Sequence, residues 1–330
     1  MDKVIAVVVT HNRRQQLSEC IDALRRQTRK VDAIFVVNNG STDDTADWLR
    51  RQSDLDFVTQ ANTGGAGGFA RAIQTGYVRG YHWIWCMDDD GLPKEDALEH
   101  LLASENQELR LLNCAVINKE DKESFVWKTG HHKKITEVHS DEIKGIGHPF
   151  NGTLINHRII ARVGVPKQHL FLWGDETEYY YRITRKNNIP VATVTKSIHY
   201  HPATAFSLTK NWDFENGWKL YYYIRNRYHI HKAKFNNRFV AMVHYACFIM
   251  AFACMVVLFQ KKDRLRKLNF IFWPVADAFR NDFSARPAYI LQQLNVQNER
   301  SYGQVILTPI RNFFLSIFTP VARPQGSPSV

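Results

Sequence analysis

The chain is poor in cysteine and has no segment typical of a secretion signal. Its 330 residues include five cysteines, and no two of them form a Cys-x-x-Cys pair. A disulfide framework is therefore not expected, and the cysteines are typical of small apolar residues in a reducing compartment. The first apolar run, residues 4–9, ends at Thr-His-Asn-Arg-Arg and is too short for a signal peptide. We therefore expect a cytoplasmic protein.

Acidic residues are scarce towards the C-terminus. Residues 201–330 contain 17 Lys or Arg but only 6 Asp or Glu, which accounts for the whole net charge of +11. A basic surface on one part of a chain indicates either nucleic acid or an anionic membrane as the partner. The apolar segment described next favours the membrane, so no nucleic-acid partner is expected.

Charged side chains are missing altogether from residues 239–260, which have basic residues on both sides. A segment of this length could span a bilayer, but basic flanks at both ends disagree with the positive-inside rule. An interfacial helix on an anionic leaflet fits better, while a spanning helix and a buried core or oligomer contact remain open. We expect the protein to be peripheral on the inner face of the cell membrane; its oligomeric state is left open.

Strand and helix patterns alternate in the first part of the chain. Apolar runs at residues 4–10, 33–37, 57–58 and 83–87 predict strands, and helical spacing or turn residues separate them. Four such alternations predict a doubly wound, mostly parallel sheet with flanking helices. We therefore expect an α/β domain over residues 1–205 and a mostly helical, basic region over residues 206–330.

Polar clusters follow each of these strands. They lie at residues 10–12, 38–41, 62–68 and 88–90, and the third was predicted to be a loop before a helix from residue 69. Ligands of open α/β sheets bind at the carboxyl ends of the strands. The four clusters therefore predict one binding edge.

Asp88, Asp89 and Asp90 directly follow the apolar residues 83–87. Adjacent carboxylates oppose each other's ionisation, so we expect a positive group among them. Magnesium typically binds one or two carboxylates together with substrate phosphates. The run therefore favours a metal–diphosphate site over the alternative, a solvated acidic turn before the next helix.

A second acidic cluster, Asp175 and Glu176, opens a predicted helix, and two histidines, His199 and His201, follow a later strand. Acidic residues in a first helical turn can simply complement the helix dipole. Alternatively, a histidine completes a manganese site and a separate carboxylate acts as a general base. Such a set suits displacement at a carbon that carries a nucleotide diphosphate, because a metal stabilises the leaving group.

Five motifs in this order resemble the inverting glycosyltransferases of family 2, which have the GT-A fold. They are residues 9–13 (Val-Thr-His-Asn-Arg), 36–43 (Val-Val-Asn-Asn-Gly-Ser-Thr-Asp), 87–90 (Met-Asp-Asp-Asp), 173–179 (Trp-Gly-Asp-Glu-Thr-Glu-Tyr) and 223–227 (Tyr-Ile-Arg-Asn-Arg). The resemblance covers residues 1 to about 235. Residues 62–71 and the three aspartates look most like galactofuranosyltransferases, which use UDP-galactofuranose. Rhamnosyltransferases, which use dTDP-rhamnose, are also similar.

The resemblance implies a role for each matching residue. The nucleotide-sugar donor would be bound by Thr10, Asn12, Arg13, Asn38, Asn62, Gly65, Arg71, Asp88, Asp89 and Trp173, with Trp173 against a sugar ring. Mn²⁺ or Mg²⁺ would be held by Asp88, Asp90 and His201, with His199 as the alternative histidine. Glu176 would be the catalytic base, with Asp175 as the alternative, since the family usually has Asp there. The family also often has Asp at position 38.

The resemblance further implies a glycan or glycolipid acceptor in the synthesis of a cell-surface polysaccharide such as O-antigen. Two other functions are alternatives. Residues 65–70 fit Gly-x-Gly-x-x-Ala, the fingerprint of dinucleotide-dependent oxidoreductases, but they do not follow the first strand. A non-catalytic nucleotide-sugar-binding scaffold is the other alternative, and the two acidic clusters argue against it.

Overall fold

A computed structural model describes residues 2–104, 108–203 and 208–298, apart from the side chains of residues 295–298. Within these ranges the chain forms two compact units. The first contains the described residues up to 203 together with 233–236, and the second contains residues 208–232 and those from 237 onward. The assignment of catalysis to residues 1–205 stays a prediction.

The first unit is a sheet with helices on both faces. Its strands are β1 (Val4–Thr10), β2 (Ala33–Asn39), β3 (Asp56–Gln60), β4 (Trp83–Asp88), β5 (Leu92–Pro93), β6 (Leu111–Asn118), β7 (Ser124–Thr129), β8 (His132–Lys134), β9 (Glu142–Lys144), β10 (Thr153–Asn156) and β11 (Val191–His201). Its α-helices are α1 (Arg14–Arg25), α2 (Thr45–Arg50), α3 (Gly64–Val78), α4 (Ala97–Ala103), α5 (His157–Val163) and α6 (Asp175–Tyr181). Short 3₁₀ turns at Ile135–Glu137 and Gln168–Leu170 and a π-helical turn at Arg182–Lys186 complete it.

The sheet is mixed, with the strand order β3-β2-β1-β4-β10-β6-β11-β5. Strands β1 to β4 pair in parallel, whereas β10 runs antiparallel to both of its neighbours. The register places Thr10 opposite Asn38 and Val9 opposite Asp88, so the polar clusters after β1, β2 and β4 share one edge. The prediction of a GT-A-like α/β fold followed by a helical region is confirmed.

Strand β1 is buried along its whole length, which explains its continuous apolar sequence. Alternate side chains enter different layers, because successive residues of a strand point to opposite faces. Val4, Ala6 and Val8 join a cluster with apolar residues of α1, and Ile5 and Val7 join one with apolar residues of α3. The two layers hold the site edge rigidly from both sides.

Helix α3 begins at Gly64, five residues earlier than the sequence predicted. Gly68, one of the glycines that suggested a loop, is needed for packing, and so is Gly76 further along the helix. A Cβ on Gly68 would overlap Val9, and one on Gly76 would overlap Ile84. Glycine lets the helix lie directly on β1 and β4, and this gain outweighs its poor helix propensity.

The second unit is helical. It contains α7 (Phe214–Gly217), α8 (Leu220–Lys234), α9 (Arg238–Phe259), α10 (Arg264–Arg280) and α11 (Pro287–Asn298). Helix α7 ends at Gly217 and α8 begins at Leu220. Glycine is required at 217, since a Cβ there would overlap the ring of Trp212.

Candidate active site

The three aspartates lie where β4 leaves the sheet. After Asp88 the chain turns, and β5 pairs antiparallel with β11, with Pro93 opposite His199. This pairing holds the acidic turn beside the end of β11. As a result, ligand atoms of Asp88, Asp90 and His201 all lie within 4.8 Å of one another. The structure thus brings together the three residues that the resemblance implied as metal ligands.

The imidazole of His201 is oriented by contacts of both of its ring nitrogens. Nδ1 lies 2.8 Å from the carbonyl oxygen of Pro202, to which it can donate, and Nε2 lies 3.3 Å from Oδ1 of Asp90. A histidine whose Nδ1–H is bonded to a carbonyl presents Nε2 to a metal. Burial alone would lower the pKa of His201, but the hydrogen bond and charge of Asp90 raise it. His201 therefore partly neutralises the carboxylates.

The carboxylates themselves are electrostatically unequal. Burial and the charges of Asp90 and Asp89 raise the pKa of Asp88 to about 7. Burial would also raise the pKa of Asp90, but the hydrogen bond and charge of His201 and the charge of Arg13 lower it. A divalent cation at this position would remove the cost of ionising Asp88.

Arg13 is the positive group that the run of aspartates led us to expect. Its Nη1 lies 3.2 Å from Oδ1 of Asp89 and 2.7 Å from Oδ2 of Asp90. The other oxygen of Asp89 accepts a hydrogen bond of 2.8 Å from the Thr10 hydroxyl. Asp89 therefore ties the end of β1 to the acidic turn, which leaves Asp88 and Asp90 for a metal. Half of the Arg13 side chain is exposed, so it can also meet a donor phosphate.

The donor set fits a hard divalent cation. Carboxylate oxygens suit Mg²⁺ and Mn²⁺, and manganese also accepts imidazole. With bonds of about 2.1 Å a cation holds its donor atoms up to roughly 4.2 Å apart, so a small closure of this cluster would suffice. Across residues 2–104, 108–203 and 208–298, no other group of His, Cys, Asp and Glu side chains has this spacing.

His199, the alternative histidine, lies beneath the acidic turn. It is fully buried, and neither ring nitrogen has a hydrogen-bond partner in the described part of the chain. Gly91 packs so closely on it that a Cβ there would overlap Nε2. Burial lowers the pKa of His199 to about 3, so it is neutral. The geometry favours His201 as the ligand and His199 as a support for the turn.

Thr10, Asn12 and Asn38 lie together at the ends of β1 and β2. Asn38 is fully buried; its amide donates to the Thr59 hydroxyl over 3.2 Å and its oxygen accepts from the backbone N–H of Ser41 over 3.2 Å. Asn12 is exposed, has a positive φ of 55°, and accepts from the backbone N–H of residue 42. Asn38 therefore shapes the floor of this edge, while Asn12 lies at its surface.

Two further residues that were predicted to bind the nucleotide-sugar donor, Asn62 and Gly65, lie around the start of α3. The side-chain oxygen of Asn62 accepts from the N–H of Gly64 over 2.9 Å, and its amide nitrogen lies 3.3 Å from Nε2 of His11. Gly65 faces open space, with no atom within 4 Å of where a Cβ would be. Arg71 is exposed further along α3, and no hydrogen bond or ion pair of its side chain occurs within the described ranges. A role for Arg71 in donor binding stays a prediction.

Asn39 is an important residue that sequence reasoning did not single out. Its amide donates to the carbonyl of Gly64 over 2.9 Å, and its oxygen accepts from the N–H of Thr63 over 3.2 Å and from Gln60 over 3.0 Å. Asn39 thereby ties the start of α3 to the end of β2. Its position at the end of an apolar strand and within the motif at residues 36–43 was the available signal.

The loop before α6 is docked onto α3. The carbonyl oxygen of Phe171 accepts from the N–H of Ala66 over 3.1 Å. Phe171 and Trp173 have positive φ angles of 67° and 54°, and Gly174 has one of 109°. Side chains with positive φ are uncommon and cluster at functional sites. Trp173 is partly exposed on this loop.

Asp175 and Glu176 have different environments. Glu176 turns back on its own helix, where its two oxygens accept from the N–H of Gly174 over 3.2 and 3.0 Å. Asp175 is buried, and burial, the charge of Glu176 and a hydrogen bond to Glu176 raise its pKa well above the usual value. The charge of Asp88 contributes to the same rise in the pKa of Asp175, so the two acidic clusters influence each other electrostatically. Asp175 therefore holds its proton more tightly than an ordinary aspartate does.

Trp127 on β7 is a second residue that the sequence did not reveal. Its ring lies 5.0 Å from that of His201 and 5.4 Å from that of His148. His148 is neutral, because burial lowers its pKa to about 4. Trp127 therefore covers the imidazole next to the carboxylates. A tryptophan within a short polar hairpin gives no periodic signal that would have identified it.

Comparisons with known proteins agree with this geometry. The family model described as glycosyl transferase family 2 matches residues 5–164. Galactofuranosyltransferase GlfT1 of Mycobacterium tuberculosis is 33% identical over 215 residues, which cover 61% of this chain and 70% of that protein. GlfT1 of Mycolicibacterium smegmatis is 33% identical over 214 residues, 60% of this chain and 70% of that protein.

A solved structure shares the fold. The mannosyltransferase PcManGT of Pyrobaculum calidifontis, in complex with GDP-Man and Mn²⁺, superposes with a TM-score of 0.50 and covers 96% of this chain and 86% of its own. Only 15% of the residues are identical, so this likeness concerns the fold alone. The family model and the 33% identity to the two GlfT1 proteins show that the chain belongs to glycosyl transferase family 2 and is a glycosyltransferase.

Proposed function

We propose that this glycosyltransferase moves galactofuranose from UDP-galactofuranose to a hydroxyl of a glycan acceptor, with inversion at the transferred carbon. The observation that carries the proposal is the cluster of Asp88, Asp90 and His201 at the carboxyl edge of the sheet. The donor sugar is inferred from the 33% identity to GlfT1, which is named a galactofuranosyltransferase.

Asp88, Asp90 and His201 would hold Mn²⁺ or Mg²⁺, which would supply positive charge where the diphosphate leaving group becomes more negative. Arg13 would add a second positive charge beside the same phosphates. Thr10, Asn12, Asn38 and Asn62 line the neighbouring edge and would hold the nucleoside. Trp173, partly exposed on the loop before α6, would pack against a sugar ring.

Glu176 would take the proton from the acceptor hydroxyl. The raised pKa of Asp175 supports this role, since a protonated Asp175 cannot act as a base until it loses its own proton. The Glu176 carboxylate would leave the N–H of Gly174 and rotate towards the acceptor. Asp175 would stay buried and orient Glu176 through the hydrogen bond between the two carboxyl groups.

The acceptor is proposed to be lipid-linked, in cell-surface polysaccharide synthesis, with the enzyme peripheral on the inner face of the cell membrane. The basic region after residue 200 and the apolar helix α9 support this location. Lys261, Lys262 and Arg264 are exposed after α9. Lys267 is not available for lipid, because it is buried against Gln260 and Trp212.

A donor screen tests the proposal. Purified full-length protein with Mn²⁺ or Mg²⁺ is supplied with UDP-galactofuranose, UDP-galactopyranose or dTDP-rhamnose. The nucleoside diphosphate that is released by slow transfer of the sugar to water, which takes the place of the acceptor hydroxyl, is measured. Release from UDP-galactofuranose alone is expected, and preferred release from dTDP-rhamnose would make the enzyme a rhamnosyltransferase instead.

Asp90→Asn keeps the shape of the site and should abolish metal-dependent release. Full activity of this variant, or of the native enzyme in excess EDTA, would rule out the metal. Asp141→Asn, on an exposed loop outside the site, is the matched control and should behave as the native enzyme.

A further inference from the structure

Helix α9 presents an apolar face that no described part of the chain covers. Its buried residues, Ala241, Tyr245, Phe252 and Val256, recur at spacings that place them on one side of a helix. The opposite side is exposed and contains no charged residue: it includes Phe239, Val243, Cys247, Met250, Cys254, Val257 and Leu258. Monomeric soluble proteins rarely expose so long an apolar stripe.

The buried side of α9 contacts polar helices, and this bears on how α9 can meet a membrane. The Tyr245 hydroxyl donates to the backbone carbonyl of Ile224 on α8 over 3.2 Å. The guanidinium of Arg227, also on α8, lies 5.1 Å from the ring of Phe248, near the midpoint of α9. If α9 crossed a bilayer, Arg227 would lie near the centre of the hydrocarbon, where a charged side chain is strongly disfavoured.

Helix α10, the other neighbour of α9, also bears on whether α9 can span a membrane. Phe279 on α10 lies 6.0 Å from Tyr245, and Lys267 at the other end of α10 contacts Gln260 just after α9. α10 therefore runs along α9 and carries Asp277 and Arg280 with it. A spanning α9 would take these charged helices into the bilayer as well, whereas one that lies on the surface leaves them in the protein.

Exposed positive charge flanks both ends of the apolar face. Arg238 lies at the start of α9, and Lys261, Lys262 and Arg264 follow its end, all of them exposed. An apolar stripe with basic residues at its borders complements an anionic lipid surface, where the stripe enters the acyl boundary and the cations meet headgroups. A second protein copy would gain nothing from like charges at both ends.

We infer that α9 lies in the plane of an anionic membrane, with the face centred on Val243 and Met250 inserted and α8 and α10 above it. This deepens the membrane association proposed above and rests on it, but it does not depend on the donor sugar or the metal. It differs from a transmembrane anchor in placing both ends of α9 at the same depth.

Two native cysteines on this face allow the depth to be measured. Cys247 and Cys254 are exposed, and the other three cysteines are buried. They are seven residues apart, which places them on the same side of the helix and about 10 Å apart along its axis. Cys247→Ala and Cys254→Ala each leave one reactive thiol on the full-length chain for a nitroxide label.

Collisions of each label with oxygen and with a water-soluble nickel chelate are then measured on vesicles of phosphatidylcholine and phosphatidylglycerol. Equal, shallow depths for both labels are expected. Depths that differ by about 10 Å would show a spanning helix and overturn the inference. If vesicles do not reduce the collisions of the labels with the nickel chelate, the face is not inserted and the inference is overturned. If the labels are already protected from the chelate without vesicles, and the protein has twice the mass of one chain, the face is a dimer contact and the inference is overturned as well.

Met250→Glu gives an independent test without a label. It should reduce vesicle binding about tenfold or more, because a charge replaces an inserted side chain. Val78→Glu is the matched control: Val78 is equally exposed and apolar but lies on α3, so binding should not change. Equal binding by both variants would contradict the inference. Turnover of UDP-galactofuranose without vesicles is measured in parallel, so that a failure of the enzymatic proposal is recognised separately.

Discussion

Gly64 and Phe171 are in direct backbone contact: a Cβ on Gly64 would overlap the carbonyl oxygen of Phe171. Gly64 also has a positive φ of 71°, and its own carbonyl accepts from the side chain of Asn39. This one glycine therefore joins the nucleotide side of the site to the loop that carries the acidic pair Asp175 and Glu176. The same turn would thus position both the proposed donor and the proposed catalytic carboxylate.

Gly64→Ala should displace the loop at residues 171–174 and lower the rate of transfer at least tenfold, with a smaller effect on donor affinity. It should also lower the melting temperature, because alanine strains a backbone with positive φ. Separate measurement of kcat and of the donor KM checks this.

Gly65→Ala is the stability control for that substitution. Gly65 faces open space within α3, and alanine is the better helix former by about 1 kcal/mol, so the melting temperature should be unchanged or higher. Its donor KM then reports whether Gly65 approaches the diphosphate. Similar losses of stability in both variants would mean that the contact with Phe171 is unimportant.

Trp127 should position His201 for metal binding. Trp127→Ala should weaken Mn²⁺ binding by roughly 10- to 100-fold, as is usual when the support of a ligand is removed, and Trp127→Phe should restore most of it. The spectroscopic signal of free aqueous Mn²⁺, titrated with each protein, measures this without turnover. Trp173→Ala should leave Mn²⁺ affinity unchanged. If phenylalanine fails to rescue and the fold is intact, the ring contact is not what holds His201.

Glu176→Gln should bind donor and metal as the native enzyme does but transfer about 10²–10⁴ times more slowly, the usual effect of losing a general base. Asp175→Asn should lose less, because it removes the orienting partner and not the base. Single-turnover rates and donor affinities are measured for both. Near-normal transfer by Glu176→Gln together with an inactive Asp175→Asn would mean that the two roles are exchanged.

The second unit should have a pH-dependent stability that comes from Asp277. Its carboxylate accepts a hydrogen bond of 2.6 Å from the hydroxyl of Tyr221, and burial raises its pKa to about 6. The folded protein holds this proton more tightly than the unfolded chain does. The contribution of Asp277 to the free energy of unfolding is therefore largest below about pH 4, decreases as the pH rises to about 6, and is constant above that.

Asp277→Asn retains an acceptor for Tyr221 and removes the titration. Its gain in unfolding free energy over the native protein should grow between pH 4 and pH 6, to at most about 3 kcal/mol, and then level off. Thermal unfolding across pH 4–8 measures it. Glu215→Gln, at an exposed position on α7, should give a curve parallel to the native one. A parallel curve for Asp277→Asn as well would contradict the assignment.

Much of the site was accessible from the sequence, because its elements depend on local patterns. Continuous apolar runs identified β1 and β4, and polar residues directly after them identified the binding edge. The three aspartates indicated a metal because like charges in a row require compensation. The register of the parallel strands then brings these separate positions to one edge, as the alternation of strands and helices predicted.

Other features depended on contacts between distant parts of the chain, and only the tertiary structure decided them. The pairing of β5 with β11 places His201 beside the aspartates and buries His199. The close contact of α3 with β1 turns an apparent glycine loop into a helix. For α9, the composition is compatible with both a spanning and an in-plane helix, because composition does not show which helices pack beside α9. The contact of Arg227 with Phe248 shows that α8 is one of them.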